Sequence, residues 1–134
     1  MITSAPPSHF LHQHKEILME STAAILKKMN EMWILLEQAN NDIGVYDEDF
    51  VRKRIEWKKM YARTFMSESG SMDLRRQQAT LDCIDAELDM DLAEMRVRTC
   101  KERIRMLGQQ LEILRSMNAA AQRQFMTEPI GQYT

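Results

Sequence analysis

Apolar residues recur every seven positions in the first third of the chain. One row consists of Leu11, Leu18, Ile25, Met32 and Ala39, and a companion row of Thr22, Met29 and Leu36. Rows at this spacing form the a/d seam of a coiled-coil-type helix, which we predict over about residues 9–40. The same seam fits one leg of an intramolecular bundle and an oligomerisation surface equally well, so the periodicity leaves both interpretations open.

Two short segments predict helix ends. Residues 40–44 have the sequence NNDIG, in which Gly44 suits the position just after a helix C-terminus. Residues 69–71, with the sequence SGS, predict a tight turn between antiparallel helices. The second helix is therefore expected over about residues 47–68.

The third helix is predicted over about residues 73–124. Its second half carries an unbroken heptad run of Val97, Cys100, Ile104, Leu107, Leu111, Leu114, Asn118 and Ala121. Its first half carries a different stripe, displaced around the helix, of Leu81, Ile84, Leu88 and Met95. We expect that first stripe to pack on the second helix and the heptad run to pack elsewhere.

Composition supports an all-helical class. The chain has 134 residues, enough for one domain, and contains 4 glycines and 3 prolines, too few for a turn-rich β architecture. The prediction is thus an all-α protein, a long-helix hairpin with coiled-coil-type helices that forms a homo-oligomer. A single domain is expected over residues 9–126, with a flexible arm at 1–8 and a tail at 127–134.

The cysteines and the hydropathy predict a cytoplasmic protein. No apolar run reaches the roughly 18 residues that a membrane span needs, and residues 1–7 lack the features of a signal peptide. Cys83 and Cys100 would lie about 25 Å apart on one straight helix, too far for an internal disulfide. Free thiols fit a reducing, intracellular setting.

No set of residues predicts catalysis. There is no Gly-rich phosphate loop and no nucleophile paired with a base. His9, His12 and His14 cluster near the N-terminus, but nothing nearby completes a zinc site. The sequence therefore predicts a binding protein that is not an enzyme and uses no metal or cofactor.

A basic, aromatic block on the second helix is the main functional signal. Its cations are Arg52, Lys53, Arg54, Lys58, Lys59 and Arg63, opposed only by Glu56. Aromatic residues are interleaved with them, namely Phe50, Trp57, Tyr61 and Phe65. Cations for phosphates and aromatic faces for unstacked bases are the two parts of a single-strand nucleic-acid platform. Because the net charge is −2, such a site must be a local patch.

An acidic segment offers a second interpretation of the basic block. If the chain folds back at Gly70, residue 58 lies opposite about residue 82. The facing segment holds Asp82, Asp85, Glu87, Asp89, Asp91 and Glu94. The cations could then be paired across the hairpin, with the aromatic side chains in the core.

The order of these features resembles one family. A basic helix (RKRIEWKKMYARTFM) leads to a Ser/Gly turn (SESGS), then to a polar helix (MDLRRQQATLDCIDAELDMDLAE), and finally to a heptad helix that ends in LEILRSMNAAAQRQF. This arrangement, over roughly residues 45–125, resembles the UvsY-type recombination mediator proteins of tailed phages and their small helical relatives.

The resemblance implies a specific role. Mediators of this type oligomerise through C-terminal helical regions, bind single-stranded DNA and help load a RecA-like recombinase onto strands covered by single-strand binding protein. DNA binding would fall on Arg52, Lys53, Arg54, Lys58 and Lys59, with Trp57 and Tyr61 as stacking partners. Arg63, from the same basic block, completes the predicted nucleic-acid site. Oligomerisation would fall on Ile104, Leu107, Leu111 and Leu114, with Val97 in the same run.

Two other functions share these sequence features. One is a structural or adaptor coiled coil that binds only protein partners. The other is a phage inhibitor of host machinery. In the adaptor, the basic block is internally paired, and the C-terminal EPIGQYT segment or the first helix docks the partner. An inhibitor would share every feature described above.

Overall fold

The computed structural model describes residues 8–133, with side chains at 8–17, 19–124 and 126. Its helices are α1 (Ser8–Ser67), α2 (Met72–Asp82) and α3 (Ile84–Tyr133). No strand occurs in this part of the chain, so the all-α prediction is confirmed. The predicted N-terminal arm lies outside the described residues, apart from Ser8. The predicted tail differs from the structure, because α3 continues to Tyr133.

The helix end predicted at residues 40–44 does not occur, because α1 runs through it. Gly44 is exposed, and a side chain there would meet nothing within 4 Å. Ala39 is buried and Ile43 and Tyr46 are half-buried, so the three- and four-residue spacing of packed positions continues across the segment. A helical glycine costs about 1 kcal/mol relative to alanine, and we infer that packing on both sides offsets that cost.

The turn between α1 and α2 depends on Gly70. Its φ of +111° lies in the region that side chains strongly disfavour, and it is the one positive-φ residue in the described chain. Ser71 caps α2, because its hydroxyl accepts a hydrogen bond from the Leu74 amide at 3.2 Å. The Arg75 Nε donates to the Glu68 carbonyl at 2.8 Å and ties the two ends of the turn together.

Substituting Gly70→Ala should therefore lower the free energy of unfolding by about 1–3 kcal/mol. The backbone conformation is strained for alanine, and the new Cβ would lie 2.9 Å from Leu74 Cδ2. Urea denaturation of the full chain measures the effect. Gly44→Ala is the matched control and should raise stability by up to about 1 kcal/mol, because its site is helical and open. Equal effects at the two sites would contradict this account of the turn.

The helix predicted over 73–124 is interrupted at one residue, Cys83. Its φ of −104° and ψ of 9° separate α2 from α3. The Cys83 amide still donates to the Ala79 carbonyl at 3.1 Å, and the Glu87 amide donates to the Cys83 carbonyl at 3.0 Å. The interruption is therefore local, and hydrogen bonds of helical spacing lead into and out of it.

The chain groups into two compact units. We call Glu37–Arg105 the hairpin unit, and Met1–Leu36 together with Met106–Thr134 the terminal unit. In the terminal unit Leu107 and Leu111 of α3 are buried. The facing rows of α1 are half-buried, at Ile25, Met29, Met32 and Leu36. In this unit the first heptad rows therefore pack as a leg of an intramolecular bundle.

In the hairpin unit, α2 and α3 pack on α1 through small residues. The buried positions of α2 and α3 are Ala79, Cys83, Ala93, Val97 and Cys100. The opposing face of α1 carries large half-buried rings at Tyr46, Phe50, Trp57 and Tyr61. Small side chains on one helix make room for large ones on the other. The stripe predicted to pack here is instead exposed, so that prediction is wrong.

Candidate nucleic-acid interface

The predicted cations lie on α1 within the hairpin unit, and four of them are exposed without a salt bridge. The cations of the block that make no salt bridge with a described residue are Arg54, Lys58, Lys59 and Arg63. Arg54 rests on the Phe50 ring, with its Cζ 5.4 Å from the ring centroid. A lysine or arginine side chain that no carboxylate holds can turn its charge toward a phosphate at little cost.

The other two cations pair with acids one turn earlier on the same helix. Arg52 Nη2 lies 2.6 Å from Glu48 Oε1, and Lys53 Nζ lies 3.1 Å from Asp49 Oδ2. Both pairs are at least partly exposed, and pairs of this kind contribute about 0.3–0.5 kcal/mol. A phosphate could therefore displace Glu48 from Arg52 without a large penalty.

The acidic segment makes no salt bridge with the basic block among the described side chains. A groove of the hairpin unit brings Lys53, Glu56 and Met60 of α1 against an acidic row, which consists of Asp82, Asp85 and Asp89. Among the described side chains, no salt bridge joins those acids to the basic block. Glu94 instead pairs with Arg98, at 2.6 Å. The pairing of Lys58 and Lys59 with Asp82 and Asp85, which the hairpin register suggested, is absent from the structure.

Two aromatic residues of the block, Trp57 and Tyr61, lie on the other face of α1. Trp57 and Tyr61 are half-buried, with ring centroids 5.8 Å apart. The Trp57 Nε1 is buried and has no hydrogen-bond partner in the described part of the chain. Thr64 is one turn from Tyr61 on this face, and its Oγ1 is 3.9 Å from the buried Cys83 Sγ. The geometry therefore separates the rings from the cations and supports phosphate contacts rather than base stacking.

Arg96 makes a cross-helix contact that sequence reasoning missed. Its Nη1 lies 3.8 Å from Asp49 Oδ2, and its Cζ lies 5.6 Å from the Tyr46 ring centroid. Arg96 had no evident acidic partner in the sequence. The register of the hairpin would have indicated this contact. That register can be fixed only when the face of α1 that meets α3 is known.

Both cysteines are buried and free. Cys100 Sγ lies 3.4 Å from the Ala39 carbonyl oxygen, to which it donates. Burial raises the pKa of the Cys100 thiol above its usual value, and the nearby Asp42 carboxylate raises it further. A buried, protonated thiol is a poor nucleophile. Cys100 therefore serves as a packing residue between α1 and α3, and Cys83 is buried in the same row of small residues.

The residues predicted to oligomerise line the seams within the chain. Val97, Leu107 and Leu111 are buried, and Ile104 and Leu114 are half-buried. Hydrophobic side chains already covered by α1 of the same chain offer little further area to a second copy. An oligomer of chains folded in this way must use other surfaces.

Comparisons add neither a family nor a fold neighbour. No protein-family model matches the chain, and we found no significant match among curated proteins or solved structures. Among the described side chains (8–17, 19–124 and 126), no group of three or more His, Cys, Asp or Glu is placed to hold a metal ion. The helices of the same region also contain no segment apolar and long enough to cross a membrane.

Proposed function

We propose that this chain is a non-enzymatic helical accessory protein that binds the backbone of single-stranded DNA. The binding surface is the outer face of α1 in the hairpin unit. The observation that carries the proposal is the set of exposed cations without salt bridges, Arg54, Lys58, Lys59 and Arg63. Arg52 and Lys53 extend the surface when a phosphate replaces their weakly held carboxylates.

The resemblance to UvsY-type mediators supplies the proposed partners. The chain would act with a RecA-like recombinase, or with single-strand binding protein, during phage DNA recombination. Mediators need only hold a strand and a protein together, so they require no cofactor. Mediators of this type act as oligomers, so the resemblance implies that copies of this chain also associate.

The dependence of binding on salt tests the proposal. Each phosphate contact to a single strand contributes about −0.7 to the slope of log affinity against log salt, so four to six cations predict a slope of about −2.8 to −4.2. Fluorescence anisotropy of a labelled oligonucleotide, titrated with the full chain at several salt concentrations, measures it. A slope near zero, or no binding at low salt by folded protein, would contradict DNA binding.

A protein-only adaptor is the second candidate, because the outer faces of the helices carry many large apolar side chains. Examples from α1 and α3 are Trp33, Val45, Leu88 and Ile113, all more than half exposed. Exposed apolar rows at helical spacing are typical of surfaces that bind another helix. A phage inhibitor of host machinery would use the same kind of surface. Absence of DNA binding by folded protein would favour this class.

A further inference from the structure

One apolar stripe of the hairpin unit is exposed and has no partner in the described part of the chain. It lies on α2 and α3, on the side opposite the buried row that includes Ala79, Cys83 and Ala93. Its members and their exposed fractions are Leu81 64%, Ile84 55%, Leu88 55%, Leu92 47% and Met95 55%. They recur at three- and four-residue spacing, as on the contact face of a helix. We call this set the acidic stripe, for the charges that flank it.

Carboxylates border the acidic stripe on both sides. On a helix of about 100° per residue, Asp91, Glu87 and Glu94 fall on one side of it. Asp82, Asp85 and Asp89 fall on the other. Residues 81–95 thus contain six acidic residues and no basic one. Charges that flank an apolar helix face select the sign of the partner that docks on it.

A second unpartnered stripe, with the opposite charge, lies on the outer face of α1. It consists of Val51, Ile55, Ala62 and Met66, all exposed. Arg54 and Lys58 fall on one side of it by the same helical geometry, and Arg52, Lys59 and Arg63 fall on the other. Residues 51–66 contain six basic residues and one acidic residue. We call this set the basic stripe.

We propose that the basic stripe of one copy docks on the acidic stripe of a second copy of this chain. The two stripes match in chemistry, because each has an apolar centre and flanks of opposite sign. They also match in length, because at about 1.5 Å per residue each spans roughly 21–22 Å. Docking acidic stripe on acidic stripe, or basic on basic, would place like charges opposite one another and is disfavoured.

This pairing makes the assembly head-to-tail. Each stripe faces away from the seam between α1 and α3, so one copy meets one neighbour through each stripe. Such heterologous contacts close into a ring or extend into a filament, rather than form a two-fold dimer. In such an assembly the cations that flank the basic stripe face a neighbour's carboxylates, so single-stranded DNA competes with assembly for them. The inference rests on the two stripes alone and does not depend on DNA binding.

Charge-swap variants of the full chain test the proposal by sedimentation velocity at low salt. One variant carries Asp85→Lys and Asp91→Lys, and the other carries Lys58→Glu and Lys59→Glu. Wild-type protein should sediment as multiples of 15.8 kDa. Each variant alone should self-associate about tenfold more weakly or worse. An equimolar mixture should regain assembly, because each stripe of one variant is then complementary to a stripe of the other.

The apolar centre gives a second, independent variant. Leu88→Gln places an amide in the middle of the acidic stripe at an exposed position, so the fold should be kept and self-association weakened. Ile113→Gln in the terminal unit is the control, exposed at 61% but outside both stripes, and should leave the mass unchanged. Circular dichroism checks that the variants remain helical.

Three results would overturn the proposal: a monomeric wild-type chain, single variants that assemble like wild type, or a mixture that stays dissociated. DNA binding is distinguished by the Asp85→Lys, Asp91→Lys variant, which loses assembly but keeps every cation of α1. If this variant still binds the oligonucleotide with a steep salt slope while the wild type is monomeric, the assembly proposal fails and DNA binding stands. If the wild type assembles as proposed and the dissociated Asp85→Lys, Asp91→Lys variant binds no DNA, the assembly proposal stands and DNA binding fails.

Discussion

Replacing Lys58 and Lys59 by glutamate should weaken binding of single-stranded DNA by about 25-fold or more at about 0.1 M salt. Two lost phosphate contacts remove about 1.4 from the log-log slope, which is worth roughly 25-fold between 1 M and 0.1 M salt, and the new carboxylates add repulsion. Both lysines are exposed and have no salt bridge among the described residues. Anisotropy titrations of the two proteins give both the affinity ratio and the change in slope.

The matched control is Lys27→Glu with Lys28→Glu. These adjacent lysines are also exposed on α1, and the substitution changes the net charge by the same amount, but they lie in the terminal unit. This control should keep most of the affinity. An equal loss from both double variants would mean that net charge, not the proposed surface, governs binding.

The same substitution at Lys58 and Lys59 distinguishes an exposed basic block from a paired one. Because the structure shows no contact from these lysines to Asp82 or Asp85, the free energy of unfolding should change by no more than about 0.5 kcal/mol. A loss of several kcal/mol in urea denaturation, with DNA binding unaffected, would support internal pairing instead. That result would favour the protein-only adaptor.

Truncating Leu111 to alanine should lower the free energy of unfolding by about 2–5 kcal/mol. Leu111 is 5% exposed and is one of only two leucines among the buried residues of the described chain. The other buried positions are small or medium-sized, namely Ala39, Ala79, Cys83, Ala93, Val97 and Cys100. In the terminal unit, Leu107 is the only other buried residue among the described side chains.

Ile113→Ala is the control for this substitution, because Ile113 is two residues away on the same helix but 61% exposed. It should change stability by no more than about 0.5 kcal/mol. The urea midpoints are measured at two protein concentrations. If Leu111 packs within the chain, the decrease in stability on truncation does not depend on protein concentration. If Leu111 instead lies in an interface between copies, the decrease depends on protein concentration, as mass action requires.

The sequence by itself determined the helical class and much of the seam of α3. Helix-forming composition, few glycines and no proline between residues 8 and 128 leave little room for another class. The heptad run predicted for α3 includes Val97, Cys100, Leu107 and Leu111, all buried in the structure. Heptad spacing is a local property of one helix, so it can be recognised without knowing the partner. The turn at Gly70 could also be predicted from the local sequence, because only glycine adopts its backbone conformation easily.

The tertiary structure decided which apolar rows are covered. On α2 and α3, sequence favoured the leucine-rich stripe as the contact with α1, but the row of Ala79, Cys83 and Ala93 packs there. Hydrophobicity ranks leucine above alanine, whereas the approach of a helix that bears Tyr46, Trp57 and Tyr61 requires small residues opposite. Steric fit depends on both helices together, so neither segment shows it alone.

The predicted break at Gly44 and the candidate site depended on tertiary structure in the same way. A glycine signals a helix end locally, but packing at Ala39 and Tyr46 carried α1 through it. Sequence grouped Trp57 and Lys58 because they are neighbours in the chain. Successive residues of a helix point about 100° apart, so the ring faces the seam and the lysine faces outward. The local sequence shows which residues belong to the basic, aromatic block of α1. Which of them face the neighbouring helices and which face outward depends on the helices that pack against α1.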